Sequence, residues 1–289
     1  MSLIHQLTAM LVAFVWGTNF VLIKLGLADL PPFLFATLRF TLVAVPLVFI
    51  LKRPPVPWKY LMAYGVLIGF GQFGLLFWSM QGHITPGLAS LVIQIQVFFT
   101  ILLAFWVFKE QLKLMQVGAL LIGAMGLVII MIYTDGETSS IGLMVVLLAA
   151  LSWAAANIVV KQVGRVDILG FIAWSSLFAI PPLLLMSLYY EGPQAIANGL
   201  IDARWDTWLI VLWQTVGNTL IGYGLWNKLL EQYDAALVTP WALLVPVFGL
   251  AASSWWLNEP LYWWKWLAAA LILSGLVINL LASKKPRSN

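Results

Sequence analysis

The 289-residue sequence contains no cysteine and only two histidines, His5 and His83. Disulfides, thiolate metal sites and a cysteine nucleophile are therefore excluded, and a histidine-based metal cluster has too few ligands to form. Charge is also scarce. Asp, Glu, Lys and Arg make up 9% of the chain, against about a quarter in a soluble domain. No G-x-x-x-x-G-K-[ST] phosphate loop occurs, which rules out ATP hydrolysis by that route. The residues before the first apolar run show neither a basic n-region nor a small-residue cleavage site, so no removable signal peptide is read. An enzyme working inside a membrane would need a nucleophile with a positioned base, or a metal. Neither constellation is present, and the chain is read as a non-enzyme without cofactor or metal.

What the chain has in abundance is apolar surface: 62% of its residues are hydrophobic, including 16 tryptophans. Indole rings favour membrane interfaces and can also line pockets. The net charge of +4 is spread over many loops, so the basic balance implies no nucleic-acid partner. A helix needs about 20 mostly apolar residues to cross a bilayer. Ten such spans can be placed, at about 7–26, 33–51, 60–80, 87–107, 114–132, 141–161, 169–189, 207–228, 235–257 and 262–281. Pro31-Pro32, the 52–57 segment KRPPVP, Thr85-Pro86, the 134–140 segment TDGETSS, the 191–194 segment EGPQ and Glu259-Pro260 punctuate them. Little is left outside, so no soluble catalytic domain is expected. Lys52, Arg53, Lys59, Lys109, Lys113, Lys161, Arg165, Lys228, Lys284, Lys285 and Arg287 fall on one side; Lys24, Arg39, Arg204 and Lys265 fall on the other. The positive-inside rule then puts both termini in the cytoplasm, and Asp29, Asp135, Glu137, Glu191, Asp202, Asp206 and Glu259 lean outward.

The two halves repeat each other. Trp16 and Lys24 recur as Trp153 and Lys161, and Gly69, Gly74 and Trp78 as Gly217, Gly222 and Trp226. Glu110 stands to the GLVI at 126–129 as Glu259 does to the GLVI at 275–278. The offset grows between the first match and the second, which places about eleven extra residues near 190–206. The chain divides into residues 1–133 and 134–289, with five spans in each half. An odd number makes the second half enter the membrane in the opposite sense. Such inverted repeats suit alternating access to a site at the bilayer midplane and argue against a static channel.

Polar residues inside the spans are the candidate substrate-binding residues. Helical arithmetic places Trp16 and Asn19 together and Lys24 about 140° away, so Lys24 reads as an interface anchor. Asn19 reads either as a cavity residue or as an amide bonded across to another helix. Trp153, Asn157 and Lys161 share one stripe. Gln94 and Gln96 lie about 200° apart, with Gln94 favoured for the cavity and Gln96 for interhelical bonding. Arg39 could hold a substrate carboxylate or pair with Glu259, and the pairing is the reading preferred here. Glu110 and Glu259 are expected to offset helix dipoles. Pro246 is expected to kink its span. Gln72, Trp174, Trp213, Tyr223 and Trp241 complete the set, the aromatic ones as a cavity wall.

The stretches WGTNFVLIK (16–24), PPFLFATLRFTLVAVP (31–46), PGLASLVIQIQVFFTI (86–101), LSWAAANIVVK (151–161), GYGLWNKLL (222–230) and LLVPVFGLAASSWWLNEPL (243–261), with Glu110, cover nearly the whole chain. They resemble the EamA family of the drug/metabolite transporter superfamily, most closely the bacterial exporters of cysteine and O-acetylserine pathway metabolites. The resemblance implies an all-α membrane protein of ten helices around a basket-like cavity, in the bacterial cytoplasmic membrane. It implies export of small amino-acid-class solutes from the cytoplasm; the chain is read as a monomer in the lipid bilayer, with a proton as the candidate coupling ion. Similar sequences export aromatic amino acids or cationic toxicants such as methyl viologen, which is the alternative.

Overall fold

The structure is a computed structural model and describes residues 1–133, 136–233 and 235–283. Asp135, Lys284, Lys285 and Arg287, which entered the charge pattern above, lie outside the described residues, as does Thr134 of the central linker. The described residues contain helices and no strand. The helices are α1 (Leu3–Gly26), α2 (Pro32–Val48), α3 (Trp58–Met80), α4 (Pro86–Phe108), α5 (Leu114–Ile132), α6 (Ser140–Val163) and α7 (Ile168–Met186). They continue with α8 (Gly192–Asp202), the run α9 at 205–232, α10 (Thr239–Leu257) and α11 (Trp263–Ser283). Among the described residues, eight helical segments are long and apolar enough to cross a membrane, and Pro32–Val48 is a shorter apolar helix. The α9 run carries Gln214, Asn218 and several hydroxyl side chains, which makes it the most polar of the long helices.

The eleven residues of α8 occupy the region where the sequence repeat placed its insertion. They are helical rather than a loop: Pro193 sits in the first turn, where its missing N–H costs nothing.

The repeat is visible in the backbone. Both α3 and α9 contain a π-helical stretch, Val66–Gly74 and Gln214–Ile221, beginning 148 residues apart. Both α4 and α10 contain a short 3-10 stretch, Ile93–Ile95 and Thr239–Leu243. Lys109 and Asn258, each directly before the repeated glutamate, end those helices in the left-handed region at φ 55° and 56°. Helix packing recurs in the same way. Helix α2 packs on α7, α5 on α11, α1 on α10 and α4 on α6. Helix α3 crosses α6 and α7 closely. A Cβ at Gly65 would overlap the Ser175 carbonyl, and one at Gly69 would overlap Ala179. Small residues let membrane helices approach in this manner, because no hydrophobic force acts between them in lipid. Buried residues run along the centre of the bundle, while exposed Leu, Ile, Phe and Trp cover its outside. That is the inside-out distribution expected for a lipid solvent.

Candidate functional site

Arg39 lies halfway along α2, is 2% exposed, and is one of the largest fully buried side chains in the molecule. Its Nη1 donates to Gln214 Oε1 at 3.0 Å and its Nη2 to Thr219 Oγ1 at 3.3 Å. Gln214 is locked in place by Asn19: Asn19 Nδ2 donates to Gln214 Oε1 at 3.2 Å, and Gln214 Nε2 donates to Asn19 Oδ1 at 2.7 Å. Thr219 in turn donates to the Gln214 carbonyl at 2.9 Å. The guanidinium stacks on Phe73, its Cζ 3.7 Å from the ring centroid, a favourable arrangement for a desolvated cation. None of these partners carries a negative charge. The Arg39 Nε has no hydrogen-bond partner, and neither does Ser175 Oγ.

Arg39 and Ser175 both line one small cavity, formed from α2, α3, α7 and α9. Arg39, Tyr64, Ser175, Ser176, Thr219 and Tyr223 supply its polar surface, and Phe40 and Phe73 are its aromatic walls. The π-helical stretches of α3 and α9 both border it, through Ile68 and Phe73 on one side and Thr219 on the other. A π-helical turn widens the spacing between successive side chains and recurs at functional sites. Here it sets Gln214 and Thr219, five residues apart, to face the same guanidinium.

The pairing of Arg39 with Glu259 does not occur. Asn258 turns the chain so that the Glu259 carboxylate meets the start of α4 and the side chain of Lys265. It accepts from Thr85 Oγ1 at 2.6 Å, Gly87 N at 2.9 Å, Lys265 Nζ at 2.9 Å and Ser253 Oγ. Glu259 and Lys265 are 5% and 1% exposed, and the glutamate offsets the dipole of α4, not of the helix that follows it. The repeated residue Glu110 also departs from its expected capping role. It forms an exposed ion pair with Lys161. Glu191 takes a cap the sequence did not suggest, accepting from Phe33 N at 2.6 Å and Leu34 N at 3.1 Å at the start of α2.

Of the other sequence candidates, Tyr223 lines the cavity. Asn19 stands two hydrogen bonds behind it, joined to Gln214, which holds Arg39. Trp16 donates to the Asn218 carbonyl at 3.2 Å and packs on Tyr223 and Trp226, behind the cavity wall. Gln72 and Gln94 are buried at 4% and 6%, in the π-helical stretch of α3 and the 3-10 stretch of α4, and neither lines the cavity. The structure does not bring the remainder to the cavity. Asn157 donates to Gln96 Oε1 at 2.9 Å and to Thr100 at 3.2 Å, joining α6 to α4. Trp153 packs on the core, and Trp174 donates to the Leu51 carbonyl. Trp213 is 38% exposed, and Trp241 packs in a satellite cluster with Leu229 and Val238. Lys24 donates to the Met80 carbonyl at 3.1 Å, closing the end of α3. Sequence reasoning missed Tyr64, Phe73, Ser175, Gln214 and Thr219. The signal for Gln214 and Thr219 was the polar run QTVGNT inside an otherwise apolar span.

The EamA-like transporter family model matches residues 3–132 and again 140–281. The chain is 42% identical to a protein of Salmonella typhimurium described as a probable amino-acid metabolite efflux pump, over 97% of this chain and 96% of that one. A protein of the same description from Escherichia coli is 40% identical over 94% and 93%, and an uncharacterized transporter of Bacillus subtilis 30% identical over 93% and 94%. One crystal structure at 19% identity shares the fold, with a TM-score of 0.66 over 98% of each chain.

Proposed function

The chain belongs to the EamA-like transporter family, as a multi-pass protein of the bacterial inner membrane, and from that premise we propose that it exports small amino-acid-class metabolites whose carboxylate is held by Arg39. The observation that carries this is a fully buried guanidinium with no carboxylate beside it and an unpartnered Nε, on a residue that lines a cavity. A charge removed from water costs several kcal/mol unless it is compensated. A bound carboxylate supplies the compensation and takes the free edge of the guanidinium in the forked geometry the two groups favour.

Alternating access between the two halves is the matching transport cycle. Ten crossings with both termini in the cytoplasm make the halves inverted copies, and the recurrence of π-helical, 3-10 and left-handed backbone at matched positions supports that relationship. The two repeated glutamates differ in a way that fits a molecule closed on one side. Glu259 ties α4, α10 and α11 together in a buried cluster, whereas Glu110 is half exposed. Glu259 and Glu191 are both engaged in capping helices, so neither is assigned a proton-relay role. Export of cations such as methyl viologen is disfavoured by the fixed positive charge in the cavity.

Counterflow in proteoliposomes against cysteine, O-acetylserine, threonine, aromatic amino acids and methyl viologen tests the function. Carboxylate-bearing solutes are expected to exchange and methyl viologen is not. Exchange of methyl viologen alone would overturn the proposal.

A further inference from the structure

Helices α4 and α10 meet at one end of the molecule and part at the other. Residues 86–95 of α4 are all buried, and they lie so close to the Leu244–Leu257 half of α10 that a Cβ at Gly249 would overlap Ser90 Oγ. In the opposite halves, Gln96–Phe108 buries only Phe98 and Ala104, and Thr239–Leu243 buries nothing. Among the described residues, no close packing joins those two segments. The shut end is held by Glu259, whose carboxylate joins Thr85 Oγ1 and Gly87 N at the start of α4 to Lys265 Nζ of α11. Glu110 follows the parted half of α4 and is paired at the surface with Lys161 of α6.

The repeat supplies the missing half of this relationship. Lys109 and Asn258, which precede the two glutamates, share the same left-handed backbone, so both carboxylates leave their helices at a like turn. The 148 residues that separate the two π-helical starts carry Gly87 to Ala235, the first residue of the helical run 235–257. The Ala235 N–H is thus the counterpart of the Gly87 N–H that Glu259 holds. Lys265 is matched by Gln116, at the interval that relates the two glutamates, so α5 brings no cation to a second latch. Lys161 brings one from α6. A glutamate drawn out of water needs such a counter-charge, and the start of a helix favours a carboxylate through its dipole and its free N–H groups.

We infer that Glu110 is the latch of a second gate. When the parted halves of α4 and α10 close, its carboxylate takes the Ala235 N–H with Lys161 still beside it. The Glu259 cluster then comes apart into an exposed pair like the one Glu110 makes now. Glu110 touches no substrate and acts by positioning α4 against α10. The inference rests on alternating access between the two halves and is independent of what Arg39 holds.

Because the sequence has no cysteine, Gln111→Cys with Leu237→Cys places two lone thiols at exposed positions on either side of the gap. Oxidative cross-linking of this pair is followed in proteoliposomes that hold the solutes of the counterflow panel on both sides. The cross-link is expected to form and to stop transport, and a reductant is expected to restore it. Adding Glu110→Gln is expected to slow cross-linking at least about tenfold, the worth of one hydrogen bond to a charged group, with the unfolding midpoint unchanged; Glu110→Asp is expected to recover most of the rate. Equal rates with and without Glu110 would overturn the latch and leave alternating access standing, as would a slowing matched by an equal loss of stability. No cross-link with any of the solutes would overturn closure at this end, and with it the alternating access on which the inference rests.

Discussion

Arg39 and Gln214, 175 positions apart in the chain, share a hydrogen bond of 3.0 Å, and the accepting oxygen of Gln214 also takes one from Asn19. Both acceptor sites of that amide oxygen are thus used, and the guanidinium is fixed in place by a neutral group. Gln214→Glu keeps the acceptor for Arg39 and Asn19 Nδ2, gives up the bond that Gln214 Nε2 donates to Asn19 Oδ1, and puts a carboxylate where the substrate's carboxylate should supply the only negative charge. The variant is expected to fold with a thermal stability in detergent equal to wild type or higher, since the buried cation is then paired. Its transport is expected to fall at least about tenfold, because the substrate must now displace an internal anion. A counterflow assay paired with a melting curve checks both expectations.

Breaking the Glu259–Lys265 pair has the opposite signature. Removing one member of a buried ion pair leaves the other uncompensated, typically at about 3–5 kcal/mol. Glu259→Gln and Lys265→Met should each lower stability by that order, and the double substitution should recover much of the loss, because it removes both charges. Equilibrium unfolding in mixed micelles measures the cycle.

Glu110 holds the repeat position equivalent to Glu259, yet its ion pair with Lys161 is exposed, the two side chains at 50% and 47%. Solvent screening limits such a pair to about 0–1 kcal/mol. Glu110→Gln is accordingly expected to leave the unfolding midpoint nearly unchanged. A loss as large as that of Glu259→Gln in the same micelles would refute the contrast drawn between the two sites.

Asp29, in the turn between α1 and α2, ties that turn to the start of α9. The hydrogen bond from Thr207 Oγ1 is the chief influence holding its carboxyl below the ordinary value of 3.8, with the backbone N–H and guanidinium of Arg204 adding to it. A folded-state pKa below the unfolded one means that the stabilisation is fully present above the unfolded value. It is lost as pH falls through the folded value. Stability measured from pH 6 downward should therefore drop below about pH 4 in the wild type, and Asp29→Asn should flatten that part of the profile.

The spans were legible because runs of apolar residues between Pro and Gly clusters leave little choice in lipid, and the repeat was legible because its Trp, Gly and Glu signals keep their order. Less of the site could be read. The arithmetic that placed Trp16 and Asn19 on one face assumes 100° per residue, and this fails in the π-helical stretches that border the cavity, so Phe73, Gln214 and Thr219 could not be assigned a face. Arg39 was singled out by its depth in the span, but the sequence offered Glu259 as a partner because both lie toward one membrane side. The turn at Asn258 that sends Glu259 to α4 is a backbone feature with no strong local signature. Asn19 follows the second of its two readings: it bonds across to Gln214 of another helix, which in turn holds Arg39, and it does not itself line the cavity. The tryptophan candidates failed for a different reason. Sixteen indoles serve mostly the lipid-facing surface and the packing between helices, and nothing in their spacing distinguishes the few near the cavity.

Transport and thermal stability of Arg39→Gln, measured on the same preparation, bear most directly on the carboxylate-holding role. The substitution removes a buried cation without a counter-charge, so the melting temperature in detergent is expected to stay at or above wild type while counterflow of carboxylate-bearing metabolites is abolished. Wild-type counterflow and KM in a folded Arg39→Gln protein would contradict that role.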